Sequence, residues 1–167
     1  IFGIYFLFFH SDIDLYSSDL EFQSDSIEIV DSLFFYQDPI KKISGFDSPI
    51  ITNSFKKGHR ALDITGPLGT EIYSVMEGKV FYEGNDKKMG NVIVISHKDG
   101  YMTKYMHNKK NFVNVGDSVL LNKPIAEMGN TGSILSKDEG IHLHFELWQN
   151  GNPIDPIFFI KELDLID

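Results

Sequence analysis

From residue 48 onward, the chain is a succession of short β-rich runs separated by turn residues. The runs are PIITNSF, EIYSVM, KVFYEG, NVIVISH, YMTKYMH, PIAEMG and HLHFELW. No long helical period interrupts them, and runs of this length and spacing are typical of an all-β sandwich or small barrel. The Asn150-Gly151 pair predicts a tight turn after HFELW, because both residues tolerate positive φ. We therefore predict an all-β fold.

The length of 167 residues fits one ordinary domain plus an extension. We place the extension at residues 1–40 and the domain at 41–167. Residues 1–9, IFGIYFLFF, are too few for a membrane span of about 20 residues. Because the first residue is not Met, we interpret them as the remainder of a secretory signal or membrane anchor, which favours export and allows membrane association. The alternative is a first buried strand.

The net charge of −9 is concentrated in the extension. Residues 1–40 hold eight of the 24 acidic residues and none of the 15 basic ones, so the remainder is nearly neutral. We interpret residues 11–40 as an acidic linker with a solvated surface. A near-neutral domain lacks the basic surface that phosphate binding requires, and nucleic acid is therefore a poor candidate partner.

The chain contains no cysteine. This excludes disulfides, thiolate zinc sites and a cysteine nucleophile. Any metal ion must be bound by histidine and carboxylate side chains.

Four of the six histidines, His59, His107, His142 and His144, lie in segments that suit chemistry. His142 and His144 alternate with Leu143 and Phe145, so on a strand both imidazoles and Glu146 point to one face. Such a face is solvated, metal-bound or catalytic, since burying these groups without partners is costly. A polar outer face on an edge strand explains the segment equally well. Of the other two histidines, His97 suits a hydrogen-bonded structural role and His10 has no partner nearby in sequence.

A second element is His59-Arg-Ala-Leu-Asp63. A spacing of four residues puts imidazole and carboxylate on one side of either a strand or a helical turn. Hydrolytic zinc sites commonly use three protein ligands and leave a position for water. Two histidines and one aspartate satisfy that count, but the spacing does not decide whether His142 or His144 is the ligand.

Residues 48–160 resemble the catalytic domain of the lysostaphin and LytM-type peptidoglycan endopeptidases. Four segments carry the resemblance in the family's order: HRALDITGPLGTEIYSVMEGKV, GNVIVISHKDGYMTKYMH, VNVGDSVLLNKPIAEMGNTG and HLHFELWQNGNPIDP. The resemblance implies one zinc ion bound by His59, Asp63 and His144, with His107 and His142 as catalytic histidines. It also implies an antiparallel β fold of the duplicated hybrid motif type, with a peptide-binding groove over the metal site.

Two departures from the family pattern stand out. Ala61 replaces the glycine that the family usually has between the residues that match His59 and Asp63. The added methyl group is a small perturbation of the local backbone. The loop at 133–141, SILSKDEGI, is longer and more charged than the usual link, and we expect it to form a groove wall that affects substrate preference.

The resemblance implies a zinc metalloendopeptidase that cuts stem or cross-bridge peptides of peptidoglycan, exported to the periplasm or cell envelope. Glu146, Tyr105 and Asp99 are weaker candidates for supporting roles, and Trp148 is predicted to be structural. One alternative is a silent or autoinhibited regulator that activates another wall hydrolase, with residues 11–40 blocking the groove. Another is a sugar-system phosphocarrier, which Asp63 disfavours because its carboxylate would repel phosphate.

Overall fold

A computed structural model describes residues 36–41, 50–133 and 140–160. The predicted apolar start, most of the acidic extension and most of the loop at 133–141 lie outside these residues. The described residues form eleven strands and two 3-10 turns, Lys98–Gly100 and Pro156–Phe159. The strands are β1 Ile50–Asn53, β2 Leu62–Thr65, β3 Glu71–Tyr73, β4 Gly78–Asp86, β5 Gly90–Ser96, β6 Tyr101–Asn108, β7 Lys110–Asn111, β8 Ser118–Val119, β9 Pro124–Glu127, β10 His142–Gln149 and β11 Asn152–Ile154.

Two antiparallel sheets contain all of these strands. The large sheet has the order β1-β2-β10-β6-β5-β4-β8, with β11 paired to β10, and the small sheet has the order β3-β9-β7. Each of the seven predicted runs contains a strand, and the all-β antiparallel prediction is confirmed. At the predicted hairpin between β10 and β11, Asn150 and Gly151 have φ of 50° and 80°.

The main core lies on one face of the large sheet, where the small sheet adds to it. Leu143, Phe145 and Leu147 of β10 are fully buried there, together with Ile72 of β3 and Ile125 of β9. The alternate residues of β10 are only partly buried. Strand alternation therefore leaves the second face of the large sheet for the polar side chains of β10.

Residues 36–41 pack against the domain. Ile40 is 1% exposed within the main core. Backbone hydrogen bonds join Gln37 to Val75 and Tyr73 to Pro39. This short segment is therefore part of the packed structure.

Candidate metal centre

Strand register brings Asp63 and His144 together. Strands β2 and β10 pair antiparallel with Asp63 opposite His144, so both side chains project from the same face. The His144 Nδ1 atom lies 2.7 Å from Asp63 Oδ1. Asp63 lies in strand β2 rather than in a helical turn. This decides between the two structures that the spacing of His59 and Asp63 allowed.

His59 reaches the same carboxylate from a turn just before β2. Two backbone hydrogen bonds between His59 and Lys56, of 2.8 and 2.9 Å, fix this turn. The His59 Nε2 atom lies 3.1 Å from Asp63 Oδ2. His59, Asp63 and His144, which we call the metal cluster, offer three ligand atoms within 4.8 Å of one another.

The tautomer of His59 suits a metal ligand. Its Nδ1–H donates to the carbonyl oxygen of Ser54 at 3.0 Å, because a carbonyl can only accept. Its Nε2 atom is buried and has no hydrogen-bond partner. In the neutral ring with its proton on Nδ1, the lone pair of Nε2 faces a carboxylate oxygen, and a cation between the two relieves the resulting repulsion. The donor set of two imidazoles and one carboxylate fits Zn²⁺.

Asp63 is held ionised by its neighbours. Burial raises its pKa, but the hydrogen bond and charge of His144, with the Asn53 amide at 3.1 Å, outweigh burial and lower the pKa from 3.8 to about 2. Asn53 belongs to β1, the edge strand next to β2. No sequence pattern marks Asn53 as a site residue, because nothing in the sequence shows that β1 pairs with β2.

Glu146 lies against the outer nitrogen of His144, with its Oε1 atom 3.5 Å from His144 Nε2. Its Oε2 atom accepts hydrogen bonds from Trp148 Nε1 at 2.6 Å and from Lys104 Nζ at 2.9 Å. The Lys104 ammonium also stacks 4.3 Å from the centre of the Trp148 ring. A carboxylate at this position favours a proton on Nε2, which leaves the Nδ1 lone pair for a metal.

In the metal-free protein, these carboxylates also stabilise the charged form of His144. Burial lowers the pKa of His144, but Asp63 and Glu146 outweigh it and raise the pKa from 6.5 to about 9. His144 must lose its proton before its Nδ1 atom can bind a metal ion. Metal binding at neutral pH is therefore coupled to proton release.

His107 reaches the site through an unusual backbone conformation. Met106 lies opposite His144 and Tyr105 opposite Phe145, so simple alternation would direct His107 to the core face with Tyr105. The φ of His107 is instead +63°, which breaks the alternation. Its ring lies 4.8 Å from the ring of His142, between centroids, and 5.9 Å from that of His144.

A close contact between two loops supports this conformation. The backbone N–H of His107 donates to the carbonyl of Met89, and its Nδ1–H donates to the carbonyl of Thr131 at 2.8 Å. A Cβ atom on Gly90 would overlap Thr131, and one on Gly132 would overlap the backbone of Gly90. Only glycine permits this approach, which explains why the GN and GNTG segments flank the site.

His107 and His142, which we call the histidine pair, both carry the lone pair of the neutral ring on Nε2. The Nδ1–H of His142 donates to the carbonyl of Gly140 at 2.8 Å, as that of His107 does to Thr131. Burial lowers the pKa of His107 below 6.5; together with smaller contributions from His142 and His144, it outweighs the opposing effects of the Thr131 hydrogen bond and of Asp63. A neutral imidazole with a free lone pair is suited to accept a proton.

All five residues predicted for the site thus lie on one face of the large sheet. Tyr105 does not join them, because it is fully buried and its hydroxyl accepts a hydrogen bond from the Val75 N–H. Tyr105 therefore packs in the core and does not take the supporting role for which it was a candidate. Asp99 lies in the turn at the opposite end of β6 from His107. His97 has the predicted structural role, with its ring bonded to Glu77 and Thr103.

Several curated proteins are similar to this chain in sequence. The chain is 33% identical over 106 residues to the murein hydrolase activator NlpD of Escherichia coli (strain K12), covering 63% of this chain and 27% of NlpD. It is 37% identical over 97 residues to the peptidoglycan DD-endopeptidase ShyA of Vibrio cholerae, covering 58% of this chain and 22% of ShyA. The chain spans at most 39% of the length of eight matching curated relatives.

Among solved structures, a zinc-containing peptidase from Vibrio cholerae superposes with a TM-score of 0.67 at 29% identity. That match covers 80% of this chain and 41% of the other. The profile of peptidase family M23 matches residues 57–156, which is more than half of the chain. The chain therefore belongs to peptidase family M23.

Proposed function

We propose that this domain is a zinc metalloendopeptidase that hydrolyses stem or cross-bridge peptides of bacterial peptidoglycan. The observation that carries the proposal is the buried, unpartnered Nε2 atom of His59 beside Asp63 and His144, with two further bare imidazole nitrogens next to them. One group of side chains is arranged as ligands and an adjacent group as bases. Family membership makes peptide hydrolysis the reaction that fits this division.

His59, Asp63 and His144 would bind one zinc ion, through His59 Nε2, a carboxylate oxygen and His144 Nδ1. Zinc bound in such a site polarises a peptide carbonyl and lowers the pKa of water toward about 7. The bare Nε2 atoms of the histidine pair accept the proton of the attacking water. Once protonated, an imidazole of the pair donates to the oxyanion or to the leaving amine.

The substrate class rests on the relatives. ShyA is a peptidoglycan DD-endopeptidase and NlpD is a murein hydrolase activator. An enzyme that acts on this polymer works outside the cytoplasmic membrane, so we propose an exported protein of the periplasm or cell envelope. No helix among the described residues has the length and apolar character that a membrane crossing requires. Membrane association through residues 1–9 stays a prediction, since those residues lie outside the described part.

The test is digestion of purified sacculi by the full chain, with the products identified by mass analysis of muropeptides. We expect cross-linked muropeptides to decrease with zinc-loaded protein and to persist with chelator, and added zinc should restore hydrolysis. His59→Ala should lose zinc and activity together, whereas His142→Ala should lose activity but keep the ion of the metal cluster. Cross-linked muropeptides that persist with zinc-loaded, folded protein would refute the enzyme proposal.

NlpD supports a second candidate, a regulator that activates another wall hydrolase. A regulator acts through its surface and needs no proton transfer by His107. Stimulation of a separate wall hydrolase by His107→Ala to the wild-type level, with no hydrolysis by the wild type alone, would favour it. Membership of a peptidase family argues against the phosphocarrier alternative.

A further inference from the structure

A lysine is held in a fixed position on the polar face of the large sheet, next to the metal cluster. Lys104 lies directly opposite Glu146 in the pairing of β6 with β10, and its Nζ atom donates to Glu146 Oε2 at 2.9 Å. The same ammonium lies 4.3 Å from the centre of the Trp148 ring. A carboxylate and an aromatic face thus position one cation on the face that carries the site.

These contacts leave the Lys104 ammonium able to donate again. An ammonium has three N–H donors, of which Glu146 accepts one while the indole attracts the charge. The Lys104 side chain is still 29% exposed, against 14% for Glu146. Its neighbours along β6 on this face are Met102 and Met106, which belong to a small apolar cluster. An ion pair beside apolar side chains is screened less than one at an open surface.

The charges that meet here favour an anionic ligand. A divalent ion in the metal cluster balances the carboxylates of Asp63 and Glu146, and neutral imidazoles add no charge. The Lys104 ammonium then gives these groups one net positive charge, and without it they are neutral overall. Both oxygens of Glu146 already face partners, Oε1 toward His144 and Oε2 toward Trp148 and the ammonium. Repulsion between Glu146 and an incoming anion is therefore reduced.

We propose that Lys104 is a specificity-determining residue that binds a free carboxylate of the peptide substrate, an inference that rests on the proposed function. Lys104 lies two residues along β6 from Met106, the residue opposite His144. Two residues of extended chain span about 7 Å, so a peptide that crosses the metal cluster places a residue about two positions from the scissile bond beside Lys104. The carboxylate is that of a side chain at this position or the C-terminus of a stem peptide.

The experiment compares matched cross-linked stem peptides that carry a free carboxylate or its carboxamide, with the side-chain and C-terminal carboxylates blocked separately. Hydrolysis is followed with the zinc-loaded full chain. Binding is followed in zinc-loaded His142→Ala, without turnover, through the fluorescence of Trp148, which is the only tryptophan of the chain. We expect the carboxylate form to bind about 10-fold more tightly, the lower end for a hydrogen bond to a charged group. The blocked position that removes this preference identifies the carboxylate.

Substitutions of Lys104 test whether its charge causes the preference. Lys104→Met keeps an unbranched side chain beside Trp148 but removes the charge, and it should bind and cleave both peptide forms as the wild type does the carboxamide. Lys104→Arg should restore the preference. Lys110→Met is the matched control, because the Lys110 ammonium also lies over an aromatic ring, 5.7 Å from the centre of Phe112, but on β7 of the small sheet. This control should keep the full preference.

The outcomes separate this inference from the proposed function. Equal binding of the two peptide forms, or binding of neither, overturns the inference even if hydrolysis occurs. A preference that persists in Lys104→Met overturns it as well, because another cation then binds the carboxylate. Equal weakening of both forms in Lys104→Met shows a role through Glu146 alone and also overturns it. A preference in binding that Lys104→Met abolishes supports the inference, even where the wild type fails to hydrolyse either peptide and the enzyme proposal is refuted.

Discussion

Substitution of Gly90 by alanine tests whether loop contact positions His107. Gly90 has φ of +68°, and a Cβ atom there would lie closer than 3.0 Å to Oγ1 and to the backbone carbonyl of Thr131. Rotation of a side chain cannot relieve a clash with backbone. The Thr131 loop must therefore retreat, and it carries the carbonyl that holds His107 Nδ1.

Gly116 offers a matched control for the cost of placing alanine at a positive φ. Its φ is +92°, and an added Cβ atom would have nothing within 4 Å. Alanine at either position costs about 1–2 kcal/mol for the left-handed conformation. Only Gly90→Ala adds the clash, and overpacking of this kind costs about 1–3 kcal/mol. The difference between the two variants isolates the loop contact.

Urea unfolding and muropeptide hydrolysis measure the two consequences. We expect Gly90→Ala to be less stable than Gly116→Ala by about 1–3 kcal/mol. A retreat of about 1 Å at His107 should reduce kcat/KM by about 100-fold, whereas Gly116→Ala should be nearly as active as the wild type. Equal stability and activity of the two variants would refute the claim that this contact positions His107.

Three further predictions concern the metal cluster. Glu146→Gln removes the charge beside His144 Nε2. It should weaken zinc binding by about 10–100-fold, as measured in competition with a chromogenic chelator. The control is Glu127→Gln, which breaks the ion pair with Lys109 at 2.9 Å and should leave zinc binding unchanged. In chelator, the pKa of about 9 for His144 predicts a contribution to the free energy of unfolding that is complete below pH 6.5 and is lost as pH rises through 9, about 3 kcal/mol in all. The lowered pKa of Asp63 predicts the opposite dependence, with its contribution lost as pH falls from 3.8 through about 2. Urea unfolding across pH 6–10 should show the His144 slope in chelator but not in zinc, and a flat metal-free profile would contradict it.

Strand alternation made much of the fold and part of the site predictable. The period of two in HLHFELW put His142, His144 and Glu146 on one face, and the fully buried Leu143, Phe145 and Leu147 lie on the other. Strands β7 and β8 have only two residues each and β11 has three, too few for a periodic signal.

Other features of the site depend on tertiary contacts that leave no local pattern. The carbonyls of Ser54, Thr131 and Gly140 fix the tautomers of three histidines, but any residue supplies a carbonyl. Lys104 becomes identifiable as a partner of Glu146 only when the register of β6 against β10 is known. The choice of His144 rather than His142 as the predicted ligand likewise rests on the family resemblance, because spacing treats the two alike.

His107 shows why strand alternation does not predict the orientation of every side chain in the site. A strand that obeyed alternation to its end would direct this imidazole to the core face beside Tyr105, where its polar nitrogens would need partners. Positive φ avoids that outcome at a cost of about 1–2 kcal/mol for a residue with a Cβ atom. Hydrogen bonds to Met89 and Thr131 offset the cost, and they require the backbone approach at Gly90 and Gly132. The conformation of His107 is thus determined by two loops distant in sequence, and the glycines that let them meet are as much a part of the site as the imidazole they position.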